Sequence, residues 1–410
     1  MLIYGRRTAE GCADGGTAPW RYELSHMRAS DSAVFFLLYA AMYGAFGVAS
    51  PFWPRFFETR GLDSQDLGML LGLGLLIRLV SGPVIGRLAD ALGKLNEVLA
   101  ACLALAAAFS LALLLADSFW PLLLIHLLQM AALAPITTTA DAVATSRIRQ
   151  HGTTGFEYGR IRGIASATFI AGTLTTGLLL ASAGSIVNVH AALLAVAASA
   201  ALLLTRASTP SVRQVMSLAA FADGARELWA KPVFRRVIMV SALVFGSHAL
   251  HDAFSVIRWT ESGIGPVIIS VLWSEAVAAE VVVFFLIGPA LLNRIGTNGA
   301  AALAAGAGLV RWCVAGTTTS TVALAIVQPL HGFTFALLHL ACIRLLALVV
   351  PDRLAASGQA LYALGAGLMS TVLTILSGQL YAAVGGAAFL AMATLCLLAL
   401  PLAWAGLKQP

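Results

Sequence analysis

The hydrophobic positions of the chain fall into twelve long runs, and short polar segments separate most of them. A helix needs about 20 predominantly apolar residues to cross the hydrocarbon core of a bilayer, and each run is close to that length. The pattern therefore predicts twelve transmembrane helices. Within several residues at either end, we expect them at 33–57, 67–89, 97–116, 120–143, 162–182, 187–205, 237–257, 267–289, 299–316, 322–346, 357–382 and 386–406.

The longest polar segment after the first helix runs over 206–236 and divides these helices into two sets of six. We expect an N-terminal bundle over 33–205, a cytoplasmic linker over 206–236 and a C-terminal bundle over 237–410. Residues 1–32 are polar and lack the apolar core of a signal peptide, which predicts a disordered cytoplasmic tail. Met27 lies close to the first helix and is a second candidate start.

Lysine and arginine lie mostly on one side of this predicted topology. Of the 25 such residues, twenty lie on the side of the N-terminus, and Arg55, Arg60 and Arg258 lie opposite. Arg78 and Arg311 lie inside spans. Because cytoplasmic loops are enriched in Lys and Arg, both termini are expected in the cytoplasm. A missing helix would move every later loop to the other side, so the asymmetry supports the count of twelve.

The two halves resemble each other in sequence. Gly82-Pro83 follows predicted helix 2, and Gly288-Pro289 follows predicted helix 8 at the corresponding place. The segments 177–184 and 378–385, which end helices 5 and 11, share four identities in eight positions. Such internal repeats are typical of transporters in which two similar bundles hold a site near the membrane midplane. The predicted fold is therefore an all-α membrane protein of two pseudo-symmetric six-helix bundles.

Composition agrees with this fold and excludes other classes of protein. Hydrophobic residues make up 59% of the chain and charged residues 11%, against about 25% charged residues in soluble domains. The net charge of +6 comes without a basic run, so we expect no nucleic-acid partner. No phosphate-binding loop, nucleophile elbow or metal-ligand spacing occurs, and the five cysteines are scattered. We therefore predict that the protein is not an enzyme and binds no metal or cofactor. With no site for ATP, its energy is expected to come from a solute or ion gradient.

A short polar motif follows predicted helix 2. It reads Gly86-Arg-Leu-Ala-Asp90-Ala-Leu-Gly93-Lys94. This motif resembles the signature that the major facilitator superfamily carries between its helices 2 and 3. The resemblance implies alternating access around a central site, and it implies that Gly86, Asp90, Gly93 and Lys94 form a conformational latch at the cytoplasmic ends of the helices.

Ionisable residues inside the predicted spans are the candidates for chemistry, because each costs on the order of 3 kcal/mol to insert at the bilayer centre. Arg78 lies midway along helix 2 and either holds an anionic substrate or fixes helix packing. In helix 7, His248 and Asp252 are four residues apart and so share a face.

The C-terminal half concentrates acid, base and imidazole at membrane depth. Glu275 and Glu280 of helix 8 are separated by about 140° on a helix, so only one of them can line a narrow seam. Helix 9 carries Arg311, and helix 10 carries His331 and His339, which fall in one wedge. A carboxylate can be neutral when desolvated and ionised beside Arg, so its protonation can follow the conformational state. This composition favours a proton relay over histidines that only support packing.

The segment before helix 5 resembles the lactose permease group of proton symporters. It reads Phe156-Glu-Tyr-Gly-Arg-Ile-Arg162, and Asp141 precedes it in helix 4. The resemblance implies a substrate-binding pair of Asp141 and Arg162; the alternative is a structural ion pair. Val310-Arg311 and Leu330-His331 also resemble that permease, but Thr334 stands where its proton-carrying Glu is expected. If protons are coupled, Glu280, Glu275 or Asp252 must take that role.

A further resemblance, over about residues 33–400, is to the phenylpropionate permease branch of the superfamily. It rests on Gly246-Ser-His248-Ala, Leu272-Trp273-Ser274, Val277-Ala-Ala-Glu280-Val281 and Val310-Arg311-Trp312. It implies an aromatic carboxylate as substrate. The chain departs from the branch at Leu250-His251-Asp252, where the branch is rich in Tyr, and in the additional acid Glu275. These departures predict a more polar pocket.

The resulting assignment has two groups of residues. We expect substrate binding by Arg78, Asp141, Arg162, His248, Asp252 and Trp273, and proton coupling by Glu280, Glu275, Arg311 and His331. The expected function is proton-coupled uptake of a small organic solute by a monomer in the lipid bilayer. One alternative is a proton-driven exporter of hydrophobic or cationic compounds that uses the acids Asp141, Glu275 and Glu280. A second alternative is a membrane sensor that binds a solute without moving it.

Overall fold

The structure, a computed structural model, describes residues 29–151, 155–179, 182–204 and 218–406. All regular elements in these ranges are helical. Within them, nine stretches are long and apolar enough to cross a membrane. Two of the nine, Pro266–Thr317 and Asp352–Trp404, hold two spans each, and the helix Gly155–Leu179 completes the predicted set of twelve.

The spans take their labels from the main helices that form them. These are α1 Ala29–Ala49, α2 Ser64–Leu92, α3 Leu95–Ala112, α4 Phe119–Leu133 with Ile136–His151, α5 Gly155–Leu179, α6 Ala183–Leu203, α7 Pro232–Gly246 with Ala249–Glu261, α8 Pro266–Val282, α9 Gly288–Thr317, α10 Thr321–Val327 with Leu338–Val349, α11 Ala355–Val384 and α12 Phe389–Gly406. Gly296, with a φ of 70°, breaks α9, so residues 288–295 extend the eighth span and 297–317 form the ninth.

Two shorter helices lie between spans. Trp53–Glu58 follows α1, and Leu218–Ala230, here called the linker helix, precedes α7. The run predicted as one helix over 33–57 divides because Pro51 and Pro54 lack the N–H group that a continuous helix requires. Residues 1–28 of the predicted tail, which include Met27, lie outside the described residues. Residues 206–217 of the predicted linker lie outside them as well.

The ends of α2 show how local sequence sets these boundaries. The side chain of Asp63 accepts hydrogen bonds from the backbone N–H groups of Gln65 and Asp66, both at 2.8 Å, and so caps the first turn. At the other end Gly93 has a φ of 64°. The N–H of Gly93 bonds to the carbonyl of Asp90, and that of Lys94 bonds to the carbonyl of Ala89. This left-handed ending favours glycine, since glycine has no Cβ.

The helices pack alike in the two halves. In the N-terminal half α1 packs on α5, α3 on α6, and α2 on α4. In the C-terminal half the corresponding pairs are α7 with α11, α9 with α12, and α8 with α10. The halves meet through α2 on α11 and α5 on α8, two contacts that a pseudo-twofold axis exchanges. The repeat seen in the sequence is therefore a repeat of structure.

The halves touch closely at one end of the molecule, here called the closed end, where α2 and α8 begin. Gly68 lies against Gly378, and an added Cβ on Gly177 would collide with Ser270 and the carbonyl oxygen of Pro266. Small residues allow membrane helices to approach in this way. At the opposite, open end, a Cβ added to Gly86 would meet nothing within 4 Å.

The hydrophobic cores show the same division. Two cores join the halves at the closed end: one combines Leu67 with Phe254, and the other combines Phe52 with Trp259. A third core, around Leu103, contains only residues of the N-terminal half, and a fourth, around Leu345, contains only residues of the C-terminal half. The molecule is thus held together at one end and separated at the other.

Candidate functional site

Arg311 is the centre of a polar cluster in the C-terminal half. Its side chain comes from α9, and only 1% of the residue is exposed. Its Nη2 donates to Gln328 Oε1 at 2.9 Å, its Nη1 lies 3.1 Å from His331 Nδ1, and its Nη2 lies 3.4 Å from His251 Nε2. The guanidinium also stands 4.6 Å from the ring centroid of Trp312.

These contacts define which nitrogen of each imidazole carries hydrogen. Because a guanidinium only donates, the nitrogens of His331 and His251 that face Arg311 are acceptors. The hydrogen of His331 is then on Nε2, which lies 3.6 Å from Glu280 Oε2. The hydrogen of His251 is on Nδ1, which lies 3.2 Å from Asp252 Oδ1. Arg311 is therefore connected to two carboxylates, each through one imidazole.

Both carboxylates line a cavity of about 430 Å³ that also contacts the polar cluster. Its wall includes His248, His251, Asp252, Trp273, Glu280, Arg311 and His331, and two residues of the other half, Ser50 and Phe169. The Glu280 side chain is 26% exposed and that of Asp252 is 65% exposed. Both acids are therefore accessible from the cavity.

Irregular backbone brings these residues together. In α10 a 3₁₀ turn at Gln328–Leu330, which contains Pro329, is followed by a π-helical turn at Gly332–Leu337. Proline removes one backbone donor, and π-turns are frequent at functional sites. Backbone of this kind at membrane depth is tolerated where it borders a cavity or is buried in protein.

His248 and Trp273 complete the wall of this cavity. The His248 Nδ1 lies 3.0 Å from the carbonyl oxygen of Val244, so Nδ1 donates and Nε2 accepts from the Thr334 hydroxyl at 3.0 Å. Trp273 stacks on His251 with ring centroids 5.0 Å apart. Thr334, which replaces an acid of the lactose permease pattern, thus holds an imidazole in place.

A second cavity, of about 320 Å³, lies in the N-terminal half. Arg78, Trp53, Gln129 and His190 contribute its polar groups, and Ser50 and Phe169 border both cavities. Within the described part of the chain no carboxylate pairs with Arg78, whose side chain lines this cavity. The second cavity therefore presents an unpaired cation.

Asp141 and Arg162 form a separate pair. Asp141 Oδ2 lies 3.7 Å from Arg162 Nη1, Tyr39 donates its hydroxyl hydrogen to Asp141 at 2.7 Å, and Arg162 donates to the Tyr43 hydroxyl at 2.7 Å. Neither Asp141 nor Arg162 lines the two cavities. Glu157, between them in sequence, has a side chain outside the described residues.

Glu275 and the four residues of the predicted latch line neither of these two cavities. Glu275 shares a face of α8 with Val271 and Val282, which are 49% and 42% exposed, so it points outward from the bundle. We therefore do not retain it as a coupling residue. Asp90 is exposed at the open end of α2, close to Gly93, where the sequence motif ends.

Sequence reasoning missed Trp53, Gln129 and His190. The sequence pattern shows that these residues lie in or next to apolar segments, but it does not show which of their side chains face a cavity.

Two pseudo-symmetric bundles that meet at one end, with ionisable groups around cavities between them, define a membrane transporter with the major facilitator fold. The chain belongs to the MFS_1-like family, whose model matches residues 32–391. Transport, rather than catalysis, is the activity of this class, and the chain is an integral multi-pass membrane protein.

Comparison with individual proteins agrees with this assignment to a family of transporters. The chain is 29% identical over 371 residues to a probable 3-phenylpropionic acid transporter of Escherichia coli (strain K12), with 88% of this chain and 93% of that protein covered. Among solved structures it is similar to the nucleoside transporter NupG, with a TM-score of 0.81, 16% identity, and coverage of 93% and 100% of the two chains.

A further similar structure is that of a bacterial homolog of the human lysosomal transporter Spinster in an inward-facing, unoccupied conformation. Its TM-score is 0.73 at 14% identity, and 92% of this chain and 96% of that chain are covered. These structural similarities concern the fold.

Proposed function

We propose that the chain imports a small aromatic carboxylate together with protons, by alternating access, across the inner membrane of a bacterium. The name of the Escherichia coli relative supports the substrate class. The observation that carries the coupling is the path from Arg311 through His331 to Glu280, which ends in a cavity wall at membrane depth.

The open end is proposed to face the cytoplasm. Arg87, Lys94, Arg160, Arg294 and Arg344 belong to helix ends on that side, as the positive-inside rule requires of cytoplasmic segments. Both termini then lie in the cytoplasm, and the described conformation is inward-facing. The proposed latch residues lie at this end: Gly86, Asp90, Gly93 and Lys94. We propose that they hold the cytoplasmic ends of the helices together in the outward-facing conformation.

The carboxylate of the solute is assigned to Arg78. Arg311 already binds Gln328 and two imidazoles, and Arg162 already binds Asp141 and Tyr43, whereas Arg78 faces a cavity without an acidic partner. A guanidinium binds a carboxylate through two parallel hydrogen bonds. We assign Asp141 and Arg162 to a supporting ion pair, and His248, Asp252 and Trp273 to the wall that the bound solute meets in the other half.

The test is transport by proteoliposomes under an imposed proton gradient, with radiolabelled 3-phenylpropanoate as the probe. The wild-type protein should accumulate the probe above its external concentration when the outside is acidic. Glu280→Gln keeps the shape of the side chain but cannot release a proton, so it should equilibrate and exchange the probe without accumulating it.

Glu275→Gln is the matched control, since it makes the same change on the outward face of the same helix, and it should accumulate normally. Accumulation by Glu280→Gln would contradict the coupling role. Net outward movement of the probe by the wild-type protein would contradict import, and binding without flux would contradict transport of this probe.

A further inference from the structure

Three residues that line the cavity of the N-terminal half have a buried polar atom without a hydrogen-bond partner in the described part of the chain: Gln129, and the neighbouring residues Trp53 and His190. Trp53 and His190 are 8% and 2% exposed, and both line the cavity. Trp53 Nε1 and His190 Nε2 have no hydrogen-bond partner within the described residues. Because buried polar groups are nearly always hydrogen-bonded, two such atoms facing one cavity indicate a ligand that satisfies them.

The two atoms are complementary in kind. His190 Nδ1 lies 2.9 Å from the carbonyl oxygen of Ala45, which can only accept, so Nδ1 carries the hydrogen and Nε2 is an acceptor. The indole Nε1 of Trp53 can only donate. The two rings are neighbours, with centroids 5.0 Å apart. A hydroxyl group donates one hydrogen bond and accepts others, so it fits this pair.

The position of Arg78 sets the length of the ligand. With a rise of 1.5 Å per residue from the closed end, His190 lies about 10 Å deep in α6 and Arg78 about 21 Å deep in α2. This difference in backbone depth is similar to the length of a benzene ring with a three-carbon acid chain. Phe46, Met130, Leu133 and Phe169 supply an apolar wall between the two ends.

We propose that this cavity binds a ring-hydroxylated aromatic carboxylate, with the hydroxyl on His190 and Trp53 and the carboxylate on Arg78. The proposal rests on the transport function proposed above and adds specificity for a hydroxyl group on the ring. A volume of about 320 Å³ accommodates one ring with a short chain.

Calorimetric titration of the purified full-length protein can test this. The probes are 3-phenylpropanoate and its 2-, 3- and 4-hydroxyphenyl analogues. At least one hydroxylated acid should bind about tenfold more tightly than the unsubstituted acid, the gain expected from a well-made hydrogen bond.

His190→Asn is the informative variant, because the Asn amide can still donate a hydrogen bond to the Ala45 carbonyl. The substitution removes the Nε2 acceptor that the ligand hydroxyl is proposed to use. It should abolish the tenfold preference, because it should weaken binding of the hydroxylated acid about tenfold more than binding of 3-phenylpropanoate. Trp53→Phe should reduce the preference in the same selective way, and it carries the test if His190→Asn does not fold.

The matched control is His126→Asn. His126 is equally buried in the same half, packs on Phe57 and does not line the cavity, but it interacts with Gln129 and Arg78. Both affinities can therefore change together, and the tenfold preference should be retained. Equal binding of all four acids by the wild-type protein, or equal weakening of all four by His190→Asn, would overturn the hydroxyl site and leave aromatic-acid transport standing. Absence of binding by any of the acids would overturn the transport proposal as well.

Discussion

At the scale of the residue, the three arginines that could bind a carboxylate have different surroundings. Arg311 is fully engaged with Gln328 and two imidazoles, and Arg162 is engaged with Asp141 and Tyr43. Arg78 alone among these three lines a cavity without an acidic partner in the described part of the chain. The residue type was visible in the sequence, but the difference between structural and available guanidinium groups depends on neighbours from other helices.

Arg78→Gln should weaken binding of 3-phenylpropanoate by at least tenfold, since it removes a charge-assisted contact with the carboxylate. Binding of the uncharged 3-phenylpropanol should change little. The measurement is the dissociation constant of each probe for the two proteins. If both probes lose affinity to the same extent, Arg78 supports the shape of the cavity and does not bind the carboxylate.

At the scale of the element, rotation about the helix axis limits what a sequence can predict. The sequence separates Glu275 from Glu280 by about 140°, but only packing on α5 and α10 fixes that Glu280 faces inward. In α10 the π-helical turn Gly332–Leu337 alters the rotation of all later residues. His339 Nδ1 therefore lies 3.2 Å from the Tyr362 hydroxyl, and His339 does not line the cavity that His331 lines. A regular helix would have placed both histidines on the same side.

The close contact of α5 with α8 makes a prediction about the closed end. Gly177→Ala places a methyl group against Ser270 and the Pro266 carbonyl, so it should separate the two helices and slow uptake at least severalfold. Gly163→Ala, in the same helix, meets nothing within 4 Å and should transport normally.

Both glycine substitutions change helix propensity alike, so the contrast between them reports packing. The measurement is the initial uptake rate per amount of protein in the membrane. Equal rates for the two variants would contradict a close approach of α5 and α8 during transport.

At the scale of the whole molecule, most of the architecture was predictable. Twelve spans and two similar halves follow from run lengths and from the repeated Gly-Pro and Gly-rich segments, because the lipid environment demands long apolar helices. The sequence could not predict which ends of the halves touch. That choice depends on cores shared across the halves, such as that of Leu67 with Phe254, and on close contacts such as Gly68 with Gly378.

The orientation of the whole molecule can be tested with two matched cysteine variants. Asp117 and Asp223 have side chains that are 79% and 78% exposed, at the closed end and on the linker helix respectively. In intact cells, a membrane-impermeant thiol reagent should label Asp117→Cys above the background of the parent chain. Asp223→Cys should be labelled only after the cells are permeabilised. The reverse pattern would show that the closed end faces the cytoplasm.

Ser50 and Phe169 belong to the walls of both cavities, and both come from the N-terminal half. They form a partition that must travel with that half whenever the bundles rock. A solute on one side of these residues is therefore expected to change the hydration of the acids on the other side. Under the proposed function, this would link the occupancies of solute and proton through two uncharged side chains.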